Sequence, residues 1–572
     1  MHHYDPFPKI SVSGSSEAVS LGFPAICERL RRLIRQKTVI TVECYPGVDQ
    51  EAVLEGLSPL GFSAVLHSDD LAFEPEKMDR LLAQDMTSDP VFGIMTVRRL
   101  ADYFYPEKIA AAQRQIAGTP EGVVLVYGVG ASLVHPGDIQ IYADITRWEI
   151  QLRYRRGMDN WRTARQNLPK LEKYKRGYFA EWRWADKVKN QLLPTMDFYL
   201  DMTSQTGMVE GAAYRTALNA VSGRPFRMVP YFDPGVWGGN WMKTHFDLPE
   251  NGSNYAWSFD GVPEENSLLL DFGGKCIQTP ALNLVYAQPQ RLLGQRVHAR
   301  FGKEFPIRFD MLDTMNGQNL SLQVHPLTEY IQEQFNMRYT QDESYYILDA
   351  QGEDPCVYLG IKTGADPQAM AEDLRAAQRG DGPFPAERYV NRIPVKPHDH
   401  LLIPAGTVHC SGANTMVLEI SATPYIFTFK LWDWGRVDLD GKPRPIHIDR
   451  GLANIQWDRN TEFVRENLVN AVTQVYAQGD NLVERTGLHE REFIDTFRFS
   501  TSSRITVKRN GSVQVMNLVQ GSQAVLVSPT GAFPDFPLHY AETCIIPQAA
   551  GEYQLVSPAG EAIKAIVACV RD

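Results

Sequence analysis

The sequence of 572 residues predicts a multidomain protein in which an α/β domain with a parallel sheet precedes all-β domains. Short β-branched runs alternate with helix-period segments over the first third of the chain, which favours a parallel sheet. From about residue 225, Gly, Pro, Asn and Asp separate short apolar segments at close spacing, which is typical of all-β structure. We therefore expect domains at 1–215, 225–480 and 481–572.

Two apolar runs define the α/β domain. Residues 38–42 (Thr-Val-Ile-Thr-Val) and 123–127 (Val-Val-Leu-Val-Tyr) are each long enough for a buried strand. The first run leads into a turn and a helical pattern, and the segment 147–200 is helical in composition. The alternation predicts strands connected by helices.

The all-β region is predicted from apolar segments such as 267–271, 306–312 and 401–404. A helical stretch at 366–379 interrupts it, and we expect a small helical insertion there. The last block, 481–572, contains the alternating run Val-Gln-Val-Met-Asn-Leu-Val, which indicates a half-buried strand. This block is expected to form a second β domain.

Composition excludes several classes of function. A formal net charge of -11 is unsuited to non-specific nucleic-acid binding. No run of ~18 apolar residues occurs, so no membrane span is expected. The seven cysteines are odd in number and scattered, which predicts a reducing compartment, and we expect a cytoplasmic protein.

A set of metal-ligand residue types occurs in the all-β region. Gln323 and His325 are two residues apart in a predicted strand, so their side chains leave the same face. Glu343 begins a later strand, and His409 ends the turn Ile-Pro-Ala-Gly-Thr-Val-His. Two imidazoles, a carboxylate and an amide oxygen suit Zn²⁺ with a position left for substrate.

These motifs resemble the class I mannose-6-phosphate isomerases, a zinc-dependent family of the cupin fold. The resemblance covers about 225–572 and rests on segments 237–239, 301–306, 320–326, 403–409 and 441–447. It implies cupin or jelly-roll domains and one Zn²⁺ per chain, bound by Gln323, His325, Glu343 and His409. It also implies a small sugar phosphate as the partner and the interconversion of mannose 6-phosphate and fructose 6-phosphate.

Two positions depart from the family pattern. Gln341 stands where the family has a lysine, and Lys430 stands where it has the catalytic arginine. Resemblance and charge suggest Lys430 and Arg436 as substrate-facing cations. Glu419, in an otherwise apolar strand, is either an acid/base with a raised pKa or a structural partner for a nearby cation. His398 and His400 are expected in a loop or at a rim.

The N-terminal domain resembles a degenerate P-loop kinase domain. Residues 43–49 (Glu-Cys-Tyr-Pro-Gly-Val-Asp) follow the first strand, where such a kinase has its phosphate loop, but they lack the glycine pair and the Lys-Ser/Thr. Residues 67–70 (His-Ser-Asp-Asp) could form a magnesium-binding or general-base motif, but they are interpreted as a solvated turn. The functional alternative to an isomerase is a metal-binding cupin that acts as a non-catalytic sugar sensor or scaffold. The oligomeric state and the native metal are left open.

Overall fold

The structure is a computed structural model that describes residues 4–12, 16–249, 253–422, 426–439, 441 and 443–572. Lys442, from the last family-like segment, lies outside the described residues. The chain divides into two compact units, and each contains segments that are distant in sequence. The first unit comprises Lys9–Ser222 with Glu264–Gln288, and the second comprises Met1–Pro8, Gly223–Pro263 and Pro289–Asp572.

The first unit is built on a seven-stranded sheet. Its strands lie in the order Val19–Leu21, Gly207–Glu210, Phe198–Asp201, Ile139–Asp144, Lys37–Cys44, Gly122–Gly128 and Phe62–His67. The last five strands are parallel to one another, as the alternating pattern predicts, whereas the first two join antiparallel at one edge. Both predicted runs, 38–42 and 123–127, lie in neighbouring central strands, where burial on both faces explains their continuous apolar character.

Helices connect these strands, and their starts follow from local sequence. The Asp49 side chain accepts a hydrogen bond from the Ala52 amide and so caps the N-terminus of the helix Gln50–Leu57. Thr146 caps Arg147–Arg155 in the same way. The α-helices of this unit are Gly22–Arg31, Gln50–Leu57, Pro75–Met86, Pro106–Gly118, Ala131–Val134, Arg147–Arg155, Lys170–Arg176, Trp182–Leu192, Gly211–Val221 and Leu282–Ala287.

A three-stranded sheet completes the first unit. Ser267–Phe272 pairs in parallel with Lys9–Ser11 and antiparallel with Lys275–Pro280. The run 267–271, which the sequence pattern groups with the all-β region, thus lies in the α/β unit. Its strand partner is more than 250 residues away in the chain, so no local pattern could indicate the pairing.

The second unit begins with two sheets. The six-stranded sheet has the order His400–Ile403, Glu343–Ala350, Thr415–Ala422, Ile307–Asp313, Trp257–Gly261 and Tyr231–Asp233. The five-stranded sheet has the order Val390–Pro394, Cys356–Ile361, His409–Ser411, Leu322–Val324 and Phe429–Trp432. All neighbouring pairs in both sheets are antiparallel.

The second unit also contains helices, most of which are short. The predicted insertion is the helix Pro367–Arg379, which Asp366 caps and which ends at Gly380 with a φ of 89°. The α-helices of the second unit are Trp241–His245, Pro289–Leu293, Gln295–Phe301, Thr328–Phe335, Pro367–Arg379, Ala386–Tyr389, Ile448–Leu452 and Thr461–Phe463. In the described residues, no helix is long and apolar enough to cross a membrane.

The C-terminal part of the second unit is a β-sandwich. Its six-stranded sheet has the order Thr473–Gln478, Asn481–Arg485, Ile494–Thr501, Ile563–Val570, Gln514–Gln520 and Thr543–Ile546. Its four-stranded sheet has the order Arg504–Val507, Tyr553–Val556, Gln523–Val527 and Phe536–His539. Alternate residues such as Met516, Leu526 and Leu555 form the apolar core of this sandwich.

Candidate metal centre

Gln323 occupies the middle of the short strand Leu322–Val324, between two antiparallel neighbours. It lies opposite His409 on one side and opposite Lys430 on the other. Residues paired across a ladder share a face, so these three side chains leave the same side of the five-stranded sheet. His325, two residues further along, follows the same alternation.

Glu343 approaches these residues from the other sheet, as the first residue of Glu343–Ala350. Its Oε2 lies 3.1 Å from His325 Nε2, and its Oε1 lies 2.8 Å from His409 Nε2. The ligand atoms of His325, Glu343 and His409 all lie within 4.8 Å of one another. Gln323 Nε2 lies 3.3 Å from His409 Nε2. All four side chains are buried, so the site is shielded from bulk solvent.

The turn before His409 is tied to the strand that carries His325. The Gly406 amide donates a hydrogen bond of 3.0 Å to the His325 carbonyl. Gly406 has a φ of +85°, and a Cβ there would lie 2.6 Å from Gln456 Cγ and 2.8 Å from the Asn454 carbonyl oxygen. Only glycine therefore suits this position, and the Pro-Ala-Gly-Thr turn fixes the spacing of the two histidines.

Hydrogen bonds to backbone carbonyls set the tautomer of both imidazoles. His325 Nδ1 lies 3.0 Å from the Phe427 carbonyl oxygen, and His409 Nδ1 lies 2.9 Å from the Thr407 carbonyl oxygen. Each Nδ1 therefore carries a hydrogen, and each Nε2 points at the Glu343 carboxylate. Among the described residues, His325 Nε2 and Glu343 Oε1 have no partner in hydrogen-bond geometry.

This arrangement needs a positive charge at its centre, because neutral imidazoles would turn two lone pairs toward a buried carboxylate. Burial would raise the pKa of Glu343, but His325 and His409 outweigh burial and hold it well below its usual range. Burial would lower the pKa of His325, but Glu343 raises it. The two imidazoles and the carboxylate could together hold a metal ion.

Acidic and basic side chains lie beside the metal ligands on the inner face of the six-stranded sheet. Gln341 Nε2 donates to Glu343 Oε2 at 3.1 Å and to Glu419 Oε1 at 3.3 Å. Arg308 forms ion pairs with Glu419 at 3.0 Å and with Asp310 at 3.2 Å. The Glu419 side chain is thus connected to the metal centre through Gln341.

The pKa values of the Glu419 and Asp310 carboxyl groups are both raised. Burial, with the nearby charges of Asp310 and Glu343, raises the pKa of Glu419 well above its usual range. Burial also raises the pKa of Asp310 to about 7. Both alternatives considered for Glu419 have support here, because its pKa is raised and it is also the partner of Arg308.

Arg308 and Asp310 were missed by the sequence analysis. They alternate in the strand Ile307–Asp313, where apolar residues occupy the positions between them. Charged residues at i and i+2 in an apolar strand face one side of the sheet, so this alternation was the available signal.

Lys430 is half-buried and lies opposite Gln323 in register. Among the described residues, no hydrogen bond or ion pair to its Nζ is observed. Burial, together with the positive charge of Arg444, lowers the pKa of Lys430 to about 7. Asp433 and Asp438 are the nearby negative charges that act on Lys430, which shares a face of the sheet with Gln323.

Arg436 has a different environment. Its guanidinium pairs with the Asp433 carboxylate at 2.6 Å and donates to the Asn319 carbonyl at 2.6 Å. Arg444 pairs with the same Asp433 carboxylate at 3.1 Å. Arg436 therefore fixes the segment that follows Lys430, and the structure does not bring its guanidinium to the His325–Glu343–His409 cluster.

Two expectations about histidine motifs need correction. His400 begins a strand and is buried, with its Nε2 2.8 Å from Ser344 Oγ, so it is not a loop residue. In the first unit, Ser68 and Asp69 are also buried, and Asp69 accepts hydrogen bonds from the Val129 amide at 3.1 Å and the Trp161 indole at 2.7 Å. The interpretation of 67–70 as a solvated turn was therefore wrong for these two residues.

Comparison with known proteins gives different results for the two parts of the chain. Residues 22–223 match a family model described as a domain of unknown function (DUF8485). The resemblance to a kinase domain is not confirmed by this match and stays a prediction.

The remainder is similar to mannose-6-phosphate isomerases. Mannose-6-phosphate isomerase ManA of Bacillus subtilis is 24% identical over 332 residues, which are 58% of this chain and 95% of that protein. Mannose-6-phosphate isomerase of Streptococcus mutans is 23% identical over 321 residues, 56% of this chain and 91% of that protein. The crystal structure of the Bacillus subtilis mannose 6-phosphate isomerase covers 60% of this chain and 99% of its own at 16% identity, with a TM-score of 0.48.

Proposed function

We propose that this protein is a zinc-dependent aldose–ketose isomerase that interconverts mannose 6-phosphate and fructose 6-phosphate. The observation that carries the proposal is the convergence of Gln323, His325, Glu343 and His409 beside Glu419, a buried carboxyl group. Similarity to mannose-6-phosphate isomerases over almost their full length supports the same function.

The four ligand residues would hold one Zn²⁺ per chain. When bound, this ion supplies Lewis acidity for the carbonyl oxygen of an open-chain sugar. The Nδ1–H groups of His325 and His409 are held by backbone carbonyls, so both Nε2 atoms stay directed at the ion. A single carboxylate among the ligands leaves the site a net positive charge.

Isomerisation moves one proton from C2 to C1, while the hydroxyl proton of O2 passes to O1. In our proposal Glu419 carries the proton between the two carbons. Burial raises the pKa of Glu419, as is common for carboxyl groups that transfer protons, and Arg308 orients its carboxyl group. Gln341 donates to Glu343 as well as to Glu419, so it holds the acid at a fixed distance from the metal ligands.

The enediolate that forms between the two proton transfers carries negative charge. We assign Lys430 to this charge, because it shares a face with Gln323 and, among the described residues, no carboxylate lies at ion-pair distance from its Nζ. Arg436 serves in this proposal as a positioning residue. By pairing with Asp433 it holds the end of the strand that carries Lys430.

A non-catalytic sugar sensor or scaffold is the second candidate. Gln341 favours the sensor or scaffold. Its neutral amide contacts Glu343 and Glu419 at a position where the isomerase family has a lysine. Without that cation, Arg308 is the arginine or lysine at ion-pair distance from Glu419 and Asp310 among the described residues.

A coupled assay for fructose 6-phosphate formation from mannose 6-phosphate distinguishes the two candidates. An isomerase should lose activity on treatment with a chelator and regain it with Zn²⁺. A preparation that contains one equivalent of metal and binds the sugar without turnover would support the sensor instead.

A further inference from the structure

The C-terminal β-sandwich contains a cavity of about 820 Å³ that the proposed isomerase reaction does not use. Its wall includes Val475 and Tyr476 from one edge strand of the six-stranded sheet, and Arg504 and Thr506 from an edge strand of the four-stranded sheet. The cavity therefore lies at an open margin of the sandwich. Its volume is within the range of pockets for small organic ligands.

Apolar and aromatic side chains form much of the wall. Val483 lies opposite Phe499 in the antiparallel pair of strands, so both side chains face the cavity from the same side. Phe497 precedes Phe499 by two residues and shares its face. Tyr476 is 42% exposed, which is unusual for an aromatic ring in a strand and leaves one face available to a ligand.

The cations in the wall are not neutralised by carboxylates. Within the described chain, Arg504, Lys508, Arg509 and Arg571 form no ion pair. The guanidinium of Arg509 donates instead to neutral oxygens, at 2.9 Å to Gln514 Oε1 and at 2.8 Å to the Pro547 carbonyl.

The acidic residues in the wall are already paired. Asp495 accepts a charged hydrogen bond of 2.7 Å from Arg485, and Asp572 lies 3.2 Å from Arg296. The charge that remains uncompensated at this cavity is therefore positive.

Two amides in the wall have unused acceptors. The Oδ1 atoms of Asn481 and Asn510 are buried and have no hydrogen-bond partner among the described residues. Both oxygens are closed to solvent, so they do not contact a ligand in the cavity.

We propose that this cavity binds a small organic anion that has a flat apolar face. Tyr476, Phe497 and Phe499 contact the flat face, and Arg504, Lys508 and Arg509 attract the anionic group. The site is separate in sequence from the metal ligands, so the proposal does not depend on isomerase activity.

Two dyes of matched shape test the proposal with the full chain. 1-Anilinonaphthalene-8-sulfonate has a flat aromatic face, an N–H donor and a sulfonate, and N-phenyl-1-naphthylamine lacks only the sulfonate. We expect the sulfonated dye to bind with one saturable site, by fluorescence titration, and the neutral dye to bind more weakly. Equal affinity for the two dyes would overturn the role of positive charge.

A pair of double variants locates the binding. Arg504→Gln with Lys508→Gln removes two cavity charges, and Arg465→Gln with Lys396→Gln removes two exposed charges elsewhere, so both variants have the same net charge. The cavity variant should bind the sulfonated dye on the order of 3- to 10-fold more weakly than the control variant. Arg504→Lys with Lys508→Arg should retain the affinity. If the two glutamine variants bind equally while melting like the parent, the cavity is not the site.

Discussion

Gln323 and Lys430 lie directly opposite each other on antiparallel strands, so the lysine leaves the same face of the sheet as the amide of the metal centre. Removal of one well-placed donor to a developing oxyanion typically costs ~10²–10³ in turnover. Lys430→Ala should therefore lower kcat much more than it raises KM, and Lys430→Arg should retain activity or increase it. Steady-state kinetics measure both effects, with the exposed Lys396→Ala as a control. A folded, metal-loaded Lys430→Ala enzyme with the parent's kcat would remove Lys430 from the mechanism.

Metal binding depends on both imidazoles, because each presents one Nε2 to the Glu343 carboxylate. We expect about one Zn²⁺ per chain, and its loss in the His325→Ala, His409→Ala double variant. Elemental analysis after dialysis measures the content directly. His298→Ala, on the helix Gln295–Phe301, is the matched control and should keep its metal. Full metal content in the double variant would show that the ion binds elsewhere.

Glu419 allows a separate test of proton transfer. Glu419→Gln keeps the shape and the contacts with Arg308 and Gln341, but it cannot exchange a proton. General acid–base catalysis contributes ~10²–10⁴-fold, so kcat should fall by at least the lower figure while the zinc content is unchanged. The exposed Glu333→Gln is the control. If Glu419→Gln alters only the melting temperature, the residue is a structural partner of Arg308.

The first unit should not bind ATP. Glu43 is the penultimate residue of the central strand Lys37–Cys44 and accepts hydrogen bonds from the Gly130 and Ser132 amides, both at 2.7 Å. Its carboxyl group therefore occupies donors at the edge where parallel sheets bind ligands. These two amides are therefore not available to a phosphate. Calorimetry of the full chain with Mg-ATP should give no heat of binding. Micromolar affinity would show that nucleotide binds without a phosphate loop of the usual sequence.

Glu43 also predicts a dependence of stability on pH. Burial raises the pKa of Glu43 to about 7, above the ~4.3 of an unfolded chain, so the folded state holds a proton that the unfolded state has released. The contribution of Glu43 to stability is thus present below pH ~4.3 and is lost as pH rises toward 7.

Glu43→Gln removes this contribution. The melting temperature of the variant relative to the parent should therefore increase between pH 5 and pH 8, as measured by circular dichroism. The exposed Glu121→Gln variant should show no such trend. If the melting temperature of Glu43→Gln relative to the parent decreases with pH instead, the pKa of Glu43 is not raised in the folded state.

Part of the candidate metal site could be predicted from sequence, because its motifs are short continuous segments. Gln323 and His325 are two residues apart in a strand, and Gly406 fixes the turn that ends in His409, so each motif carries its own geometry. The parallel arrangement of the central strands of the first unit likewise follows from continuous apolar runs separated by helices. The order and type of these segments were visible without any tertiary contact.

Tertiary structure decided the features that depend on pairing across the chain. Arg308 and Glu419 are 111 residues apart, and their ion pair follows from the register of two strands, which no local pattern states. The pairing of Lys9–Ser11 with Ser267–Phe272 has the same origin. Sequence alone determined which residue types could bind a metal ion, since period and turn chemistry are local. Only the folded sheets determined which charges neighbour that ion, because contact between strands depends on packing of distant segments.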